Sequence, residues 1–361
     1  MRKKKNKIEP SLVIFIIVVL LGALAYQNRG LLRANLESSK QVFAYESTSQ
    51  LSFDASKGNL LALDSDGLIC LSEEGRKKWN IVHQISNPRM NVSGGYSLVF
   101  DKGGKEVHCY LRNSKLWEHT TEQPIITAKI NKNGCAVVVS HAAGYKAKVE
   151  VIANEGEPIY EWLLSEYYVI DVDISPNAKT FAAAVLRPDS AEVTSSVIVV
   201  DIDGERIKGE MVFNGSLVFD ILYQKNGSII ALSEDRLVGV SSKGEKLWDV
   251  NFEERQLSSY KLGYDTGSVL AFLGSRNNSI VQIYGKKGQK IGEYISDEKV
   301  NDVDIFDNTI AVAEKGCVVM LGQSGLVTVK TEQKHDIKQI MLLSRHRVAA
   351  VGNNNIEIIK P

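Results

Sequence analysis

The chain has 361 residues, 44% of them hydrophobic and 24% charged, and its 43 basic and 43 acidic side chains balance. The balance conceals a split: residues 1–40 hold eight basic residues against Glu9 and Glu37, a charge of +6, which leaves −6 on the rest. A mildly acidic body excludes a nucleic-acid binder, which concentrates positive charge on one face, and four scattered cysteines exclude a dense disulfide scaffold.

The first predicted element is a membrane signal. Basic residues from Arg2 to Lys7 precede an apolar, uncharged run from Leu12 to Tyr26. We read 1–10 as a cytoplasmic tail and 11–27 as a transmembrane signal-anchor. The run is short for a span of roughly 20 residues, and Pro10 and Ser11 extend it into the interface. The flanking charge places the tail inside and everything after Gln27 outside the cell. The rival reading is a secreted chain cleaved after Ala23-Leu24-Ala25, a small-x-small site. Residues 28–40 follow as an amphipathic juxtamembrane stalk, with Leu31, Leu32 and Leu36 on one side.

From Gln41 onward one phrase recurs about every forty residues: an apolar strand, a short turn, and a second strand. The copies are GLICLSEEGRKKW (67–79), KEVHCYLRNSKLW (105–117), KVEVIANEGEPIY (148–160), SVIVVDIDGERIK (196–208), RLVGVSSKGEKLW (236–248), SIVQIYGKKGQKI (279–291), CVVMLGQSGLVTV (317–329) and the truncated NIEIIKP (355–361). Repeats of this length made of short strands predict a β-propeller, because no single blade buries both of its faces. Small-residue runs such as FAAAV (181–185) and TIAVA (309–313) suit strands near the crowded axis. Counting four residues past each turn aligns Trp79, Trp117, Tyr160, Lys208, Trp248, Gly292 and Val329, and an aromatic there packs in the groove between blades. The eighth copy ends before its outer strand, and QVFAY (41–45) has no blade of its own. The chain's two ends therefore close the ring, removing the last exposed edge. The fold class is all-β: an eight-bladed propeller over 41–361, with seven blades as the rival.

Chemistry-bearing motifs are sparse. Asp64-Ser-Asp66-Gly67 and Asp201-Ile-Asp203-Gly204 open like calcium loops, but Gly75 and Val212 stand where the closing Glu belongs, so they read as hairpin turns. The six histidines form no H-x-x-x-H pair, and no nucleophile elbow or phosphate loop is present. Cys70, Cys109, Cys135 and Cys317 read as small buried hydrophobes. Four Asn-x-Ser acceptors, at Asn91, Asn214, Asn226 and Asn277, read as turns. One constellation stands out. Aligned on their turns, the innermost strands begin with Gln50, Asn91, Thr127, Asp171, Asp220, Lys261, Asp302 and Gln339. Together these would ring one polar mouth of the central channel and bind a partner there.

The blade phrase, with GEKLW (244–248) and GRKKW (75–79) closest to it, resembles the quinoprotein-like (PQQ-like, WD40-like) propeller repeats over residues 41–361. The anchored layout also resembles single-span propeller proteins of Gram-positive bacteria. The family's enzymes sandwich their quinone with an adjacent Cys-Cys pair, which this chain lacks. The resemblance therefore implies the non-catalytic branch, with no cofactor, no metal and no transferable active-site residue.

The resulting expectation is a membrane-anchored extracytoplasmic scaffold or recognition module of the bacterial cell envelope. It would bind an envelope protein or cell-wall polymer and no nucleic acid. The alternatives are an envelope enzyme acting on a glycan or peptide at the channel mouth, and a small-ligand sensor.

Overall fold

The computed structural model describes residues 41–44, 51–188, 192–275 and 278–361. The tail, span and stalk expected over 1–40 lie outside the described residues, as do Tyr45 and Gln50. Among the described residues no helix is long and apolar enough to cross a membrane.

The unit Gln41–Pro361 is eight four-stranded antiparallel sheets. Blades I to VII each use four consecutive strands, over residues 52–82, 88–120, 125–164, 168–214, 218–251, 257–296 and 300–332. Blade VIII takes three strands from residues 339–359 and its fourth from Gln41–Ala44, which pairs antiparallel with Asn355–Ile359 from Gln41 opposite Ile358 to Ala44 opposite Asn355. The expected closure by the chain's ends is thus present, and the ring has eight blades rather than seven.

Alternation along the strands explains the assembly. The second strand of each blade is apolar on both faces: Phe181 to Val185 are all fully buried. The small-residue runs therefore occupy the strand next to the axial one, not the axial strand itself. Each covered face packs on a neighbouring blade, giving eight interblade cores. Examples are Val172, Phe181 and Ile198 against Val137 and Val149 between blades III and IV, and Leu60 against Met341 and Ile356 where blade I meets blade VIII. At roughly 25 cal/mol per Å² of apolar area, these seams are the main stabilising term, and no blade has one without its neighbour. The described cysteines are all free thiols, and burial pushes Cys109 up to about 12.

The aligned aromatics sit at a bulge in each outer strand, where the ladder slips one residue after the Cys70–Trp79, Cys109–Trp117, Val151–Tyr160 and Gly239–Trp248 pairs. In blade IV the equivalent residue is Gly209, opposite Val199, rather than Lys208, because the positive-φ residue of this turn is Glu205, one past Gly204, and counting from the glycine falls one short. The interblade role holds. A Cβ on Gly156 of blade III would come within 2.6 Å of Trp117 of blade II, and one on Gly288 of blade VI within 2.4 Å of the Trp248 ring of blade V. Both glycines have positive φ, +94° and +76°, so they supply at once the turn and the close approach.

Candidate functional site

The axial strands of the blades surround a central channel. An axial strand has a ladder partner on one side only, so its other edge carries backbone groups that need partners. The sequence supplies them as side chains that point along the ring. Asp171 of blade IV accepts the Ile221 amide of blade V at 2.9 Å, and Asp173 accepts the Tyr223 amide at 2.6 Å. Blade VII repeats the device: Asp302 accepts from Ile340 at 2.9 Å and Asp304 from Leu342 at 2.7 Å. Asn91 of blade II accepts the Ile130 amide of blade III at 2.9 Å. The Asp-Val-Asp spacing works because alternate residues of a strand share a face.

Two ammonium groups complete this lining. Lys129 bonds Asp171 at 2.6 Å, Asp220 at 3.1 Å and the Ile221 carbonyl at 2.9 Å. Burial works against its charge, but Asp171, Asp220 and Asp173 outweigh that and hold it above the ordinary lysine range. Lys261 lies 3.4 Å from Asp304, whose charge raises it too. Burial lifts the carboxyl of Asp173 to about 6 and also raises Asp171, Asp302 and Asp54, with Lys129 pulling Asp171 and Asp173 back and Lys261 doing so for Asp54.

A cavity of about 540 Å³ opens above these groups. Its wall includes Lys129, Asp173, Asp220, Tyr260, Lys261 and Tyr264, and its rim includes turns that follow the axial strands of blades III, IV, VI and VII, with Lys132 and Asp307 among them. The Lys132 ammonium sits 5.5 Å from the Tyr264 ring centre. Asp265 is held low, at about 2, by Lys225 and Lys286, which bond it at 2.6 and 2.7 Å.

The eight residues singled out in the sequence fall unevenly on this geometry. Asn91, Asp220 and Lys261 line the cavity. Asp171 and Asp302 are tied to the next blade and stay outside the cavity wall. Thr127 is half-buried and outside the cavity wall. Gln339 donates to the Phe53 carbonyl at 3.4 Å, bridging blades VIII and I, and Gln50 is outside the described residues. They do not form one ring, and the cavity opens where the axial strands end rather than where they begin. The ladder register puts Thr127, Asp171, Asp220, Ser259 and Asp302 in one layer, each just past a bulge near the start of its axial strand, and puts Lys261 two residues further on, in the layer of Lys129, Asp173 and Asp304. Lys129, Asp173, Asp304 and Asp54 escaped the sequence reading, although three of them lie two residues past an aligned position, where alternation points.

The calcium-like openings are turns: Asp64 accepts the Asp66 and Gly67 amides, both at 2.9 Å, and Asp201 accepts that of Gly204 at 3.2 Å.

Comparison with known proteins gives a family and a fold. A family model described as a family of unknown function (DUF5711) matches residues 32–360. No curated protein matches the sequence. Among solved structures, the computationally designed protein Ika8 aligns with a TM-score of 0.64 at 12% identity, covering 88% of this chain and 98% of the other. Sqt1 of Saccharomyces cerevisiae aligns with a TM-score of 0.63 at 8% identity, covering 89% and 98%. BamB of Moraxella catarrhalis gives 0.56 at 11% identity, again covering 89% and 98%. At these identities the likeness is one of fold.

Proposed function

Because the chain belongs to this family of unknown function, DUF5711, its role has to be read from the site, and we propose a non-catalytic recognition module that binds a protein partner at the mouth of the propeller channel. The same proposal has residues 11–27 hold the propeller on the outer face of a bacterial membrane, where the partner belongs to the cell envelope. The observation that carries it is a polar cavity of about 540 Å³ held inside a ring of interblade cores, with charged turns at its rim. A closed ring presents those turns with little ordering left to do on binding, which favours recognition by a rigid surface. The carboxylates around Lys129 and Lys261 outnumber the two ammoniums, so a basic segment of the partner is the complementary one.

One observation favours the enzymatic alternative. Asp173 borders the cavity with its carboxyl raised to about 6 by burial, a poise suited to general acid chemistry. Its two oxygens, however, take the Ile174 and Tyr223 amides, and blade VII repeats the Asp-Val-Asp arrangement. A repeated device joining two blades supports the ring before it supports a reaction.

The test is crosslinked capture of the full-length chain in intact cells, beside a variant carrying Lys132→Glu and Asp307→Lys at the rim. Support is one protein captured by the wild type and lost from the variant at an unchanged melting temperature. Capture indifferent to the rim, or turnover of an envelope glycan or peptide, overturns the reading. The mature N-terminus tests the anchor: Met1 or Arg2 keeps it, Tyr26 removes it.

A further inference from the structure

We propose that the groove between blades I and II is a second binding site, specific for an anionic sugar. In blades III, V and VI the turn between third and fourth strands is a loop with a positive-φ glycine, Gly156, Gly244 or Gly288, that presses on the preceding blade's outer strand. Blade II breaks the pattern. Leu111 pairs directly with Ser114, leaving only Arg112 and Asn113 in the turn. No glycine lobe reaches Trp79 of blade I, and a groove of about 370 Å³ opens in its place. That volume is in the range of small-ligand sites, roughly 300–1,000 Å³.

The lining is chemically one-sided. Lys57, Lys78 and Arg112 border it beside Trp79, Asn59 and Ser97, and no carboxylate does. Among the described residues none of the three cations forms an ion pair, whereas Lys129, Lys148, Lys225, Lys286 and Lys330 all do. Lys57 reaches across Gly95, where a Cβ would meet its ammonium at 2.9 Å, and the Arg112 amide bonds the Gly95 carbonyl at 3.3 Å. The absent side chain of Gly95 thus lets Lys57 reach over toward Arg112. Three unpaired cations on an acidic body select an anion. A guanidinium takes phosphate or carboxylate in a two-pronged fashion. The indole supplies an apolar wall for the C–H face of a pyranose, and the amide and hydroxyls match its hydroxyl groups. A second aromatic ring, which a sandwiched nucleobase would need, is missing from the lining.

The site lies apart from the channel cavity, so its test is separable. The full-length chain is titrated with glucose 6-phosphate, glucose, inorganic phosphate and AMP, followed by calorimetry and tryptophan fluorescence. The expected result is saturable binding of glucose 6-phosphate with a change in indole emission, at least about tenfold tighter than glucose or inorganic phosphate, a tenfold step being about 1.4 kcal/mol. Lys57→Glu with Arg112→Glu removes it, Trp79→Phe weakens it and abolishes the emission change, and Lys132→Glu with Asp307→Lys at the channel rim leaves it intact. Should the double reversal lower the melting temperature, Lys78→Gln at the exposed edge replaces it and is expected to weaken binding. Equal binding of inorganic phosphate, tighter binding of AMP, indifference to the groove variants, or no binding at millimolar concentration overturns the proposal.

Discussion

The carboxylate of Asp173 accepts the backbone amide of Tyr223 at 2.6 Å, so a side chain of blade IV satisfies the open edge of blade V. Asp304 does the same for Leu342 at 2.7 Å, between blades VII and VIII. Both carboxylates are buried, so the donors they serve have no water to turn to. The inner ring is held by these crossings as well as by apolar seams.

Removing either acceptor leaves a buried amide unpaired, at a cost of about 1–3 kcal/mol. Asp304→Ala and Asp173→Ala are each expected to lower the unfolding free energy by that amount, seen as a lower urea midpoint at an unchanged slope. The effects of the pair should add, since the two crossings share no partner. A variant that unfolds at the wild-type midpoint would show that the amide finds another acceptor.

Ring closure is the second test. Residues 41–44 cover the edge of Asn355–Ile359, and a propeller lacking them exposes that edge to other chains. The shortened protein is expected to melt at lower temperature, with loss of cooperativity, and to associate in a concentration-dependent way in sedimentation experiments. An unchanged, monomeric thermal transition would contradict a closing role for the strand.

The fold was legible because its repeat is written in strong signals: turns, apolar runs and three tryptophans at one repeat position. Eight blades and closure by the two ends followed from counting copies. The site was less legible, for a physical reason. The turns after the axial strands differ in where their glycine falls, so turn-based counting put Lys261 in the layer of Asp171, whereas the ladder register sets Ser259 there and Lys261 with Asp173. In blade IV the positive-φ turn residue is Glu205 rather than Gly204, and counting from the glycine gave Lys208 for Gly209. Which carboxylate meets which amide depends on how neighbouring blades stagger, and no local pattern encodes that stagger.

The tryptophans at one repeat position should differ in energetic weight. Trp117 is buried under the blade III turn carrying Gly156, whereas Trp79 borders the open groove. Trp117→Ala is expected to cost about 3–5 kcal/mol, as for a filled core site. Trp79→Ala should cost nearer about 1–2 kcal/mol, in the range of an ordinary substitution. Chemical unfolding of the two variants side by side measures the gap, and equal costs would mean that the groove is closed in solution.

The last prediction concerns acid. His83 follows the outer strand of blade I and is buried. Burial lowers its pKa, the neighbouring His108 lowers it further, and Asp64, a hydrogen bond with the Ser65 backbone and Asp66 only partly offset this. A depressed histidine favours the fold in its neutral form. Its contribution is fully present above the unfolded value of about 6.5 and is lost as pH falls from there through the lower folded value. This term by itself lowers the melting temperature between neutral pH and pH about 5, while the raised carboxyl of Asp173, at about 6, acts in the opposite sense over that interval. The His83 term is therefore read as a difference: His83→Leu, of similar size and never charged, should lose less stability than the wild type as pH falls, with the share of His108, also depressed by burial, left in both. Melting curves across that interval decide it, and a variant with the full wild-type acid dependence would place the sensitive group elsewhere.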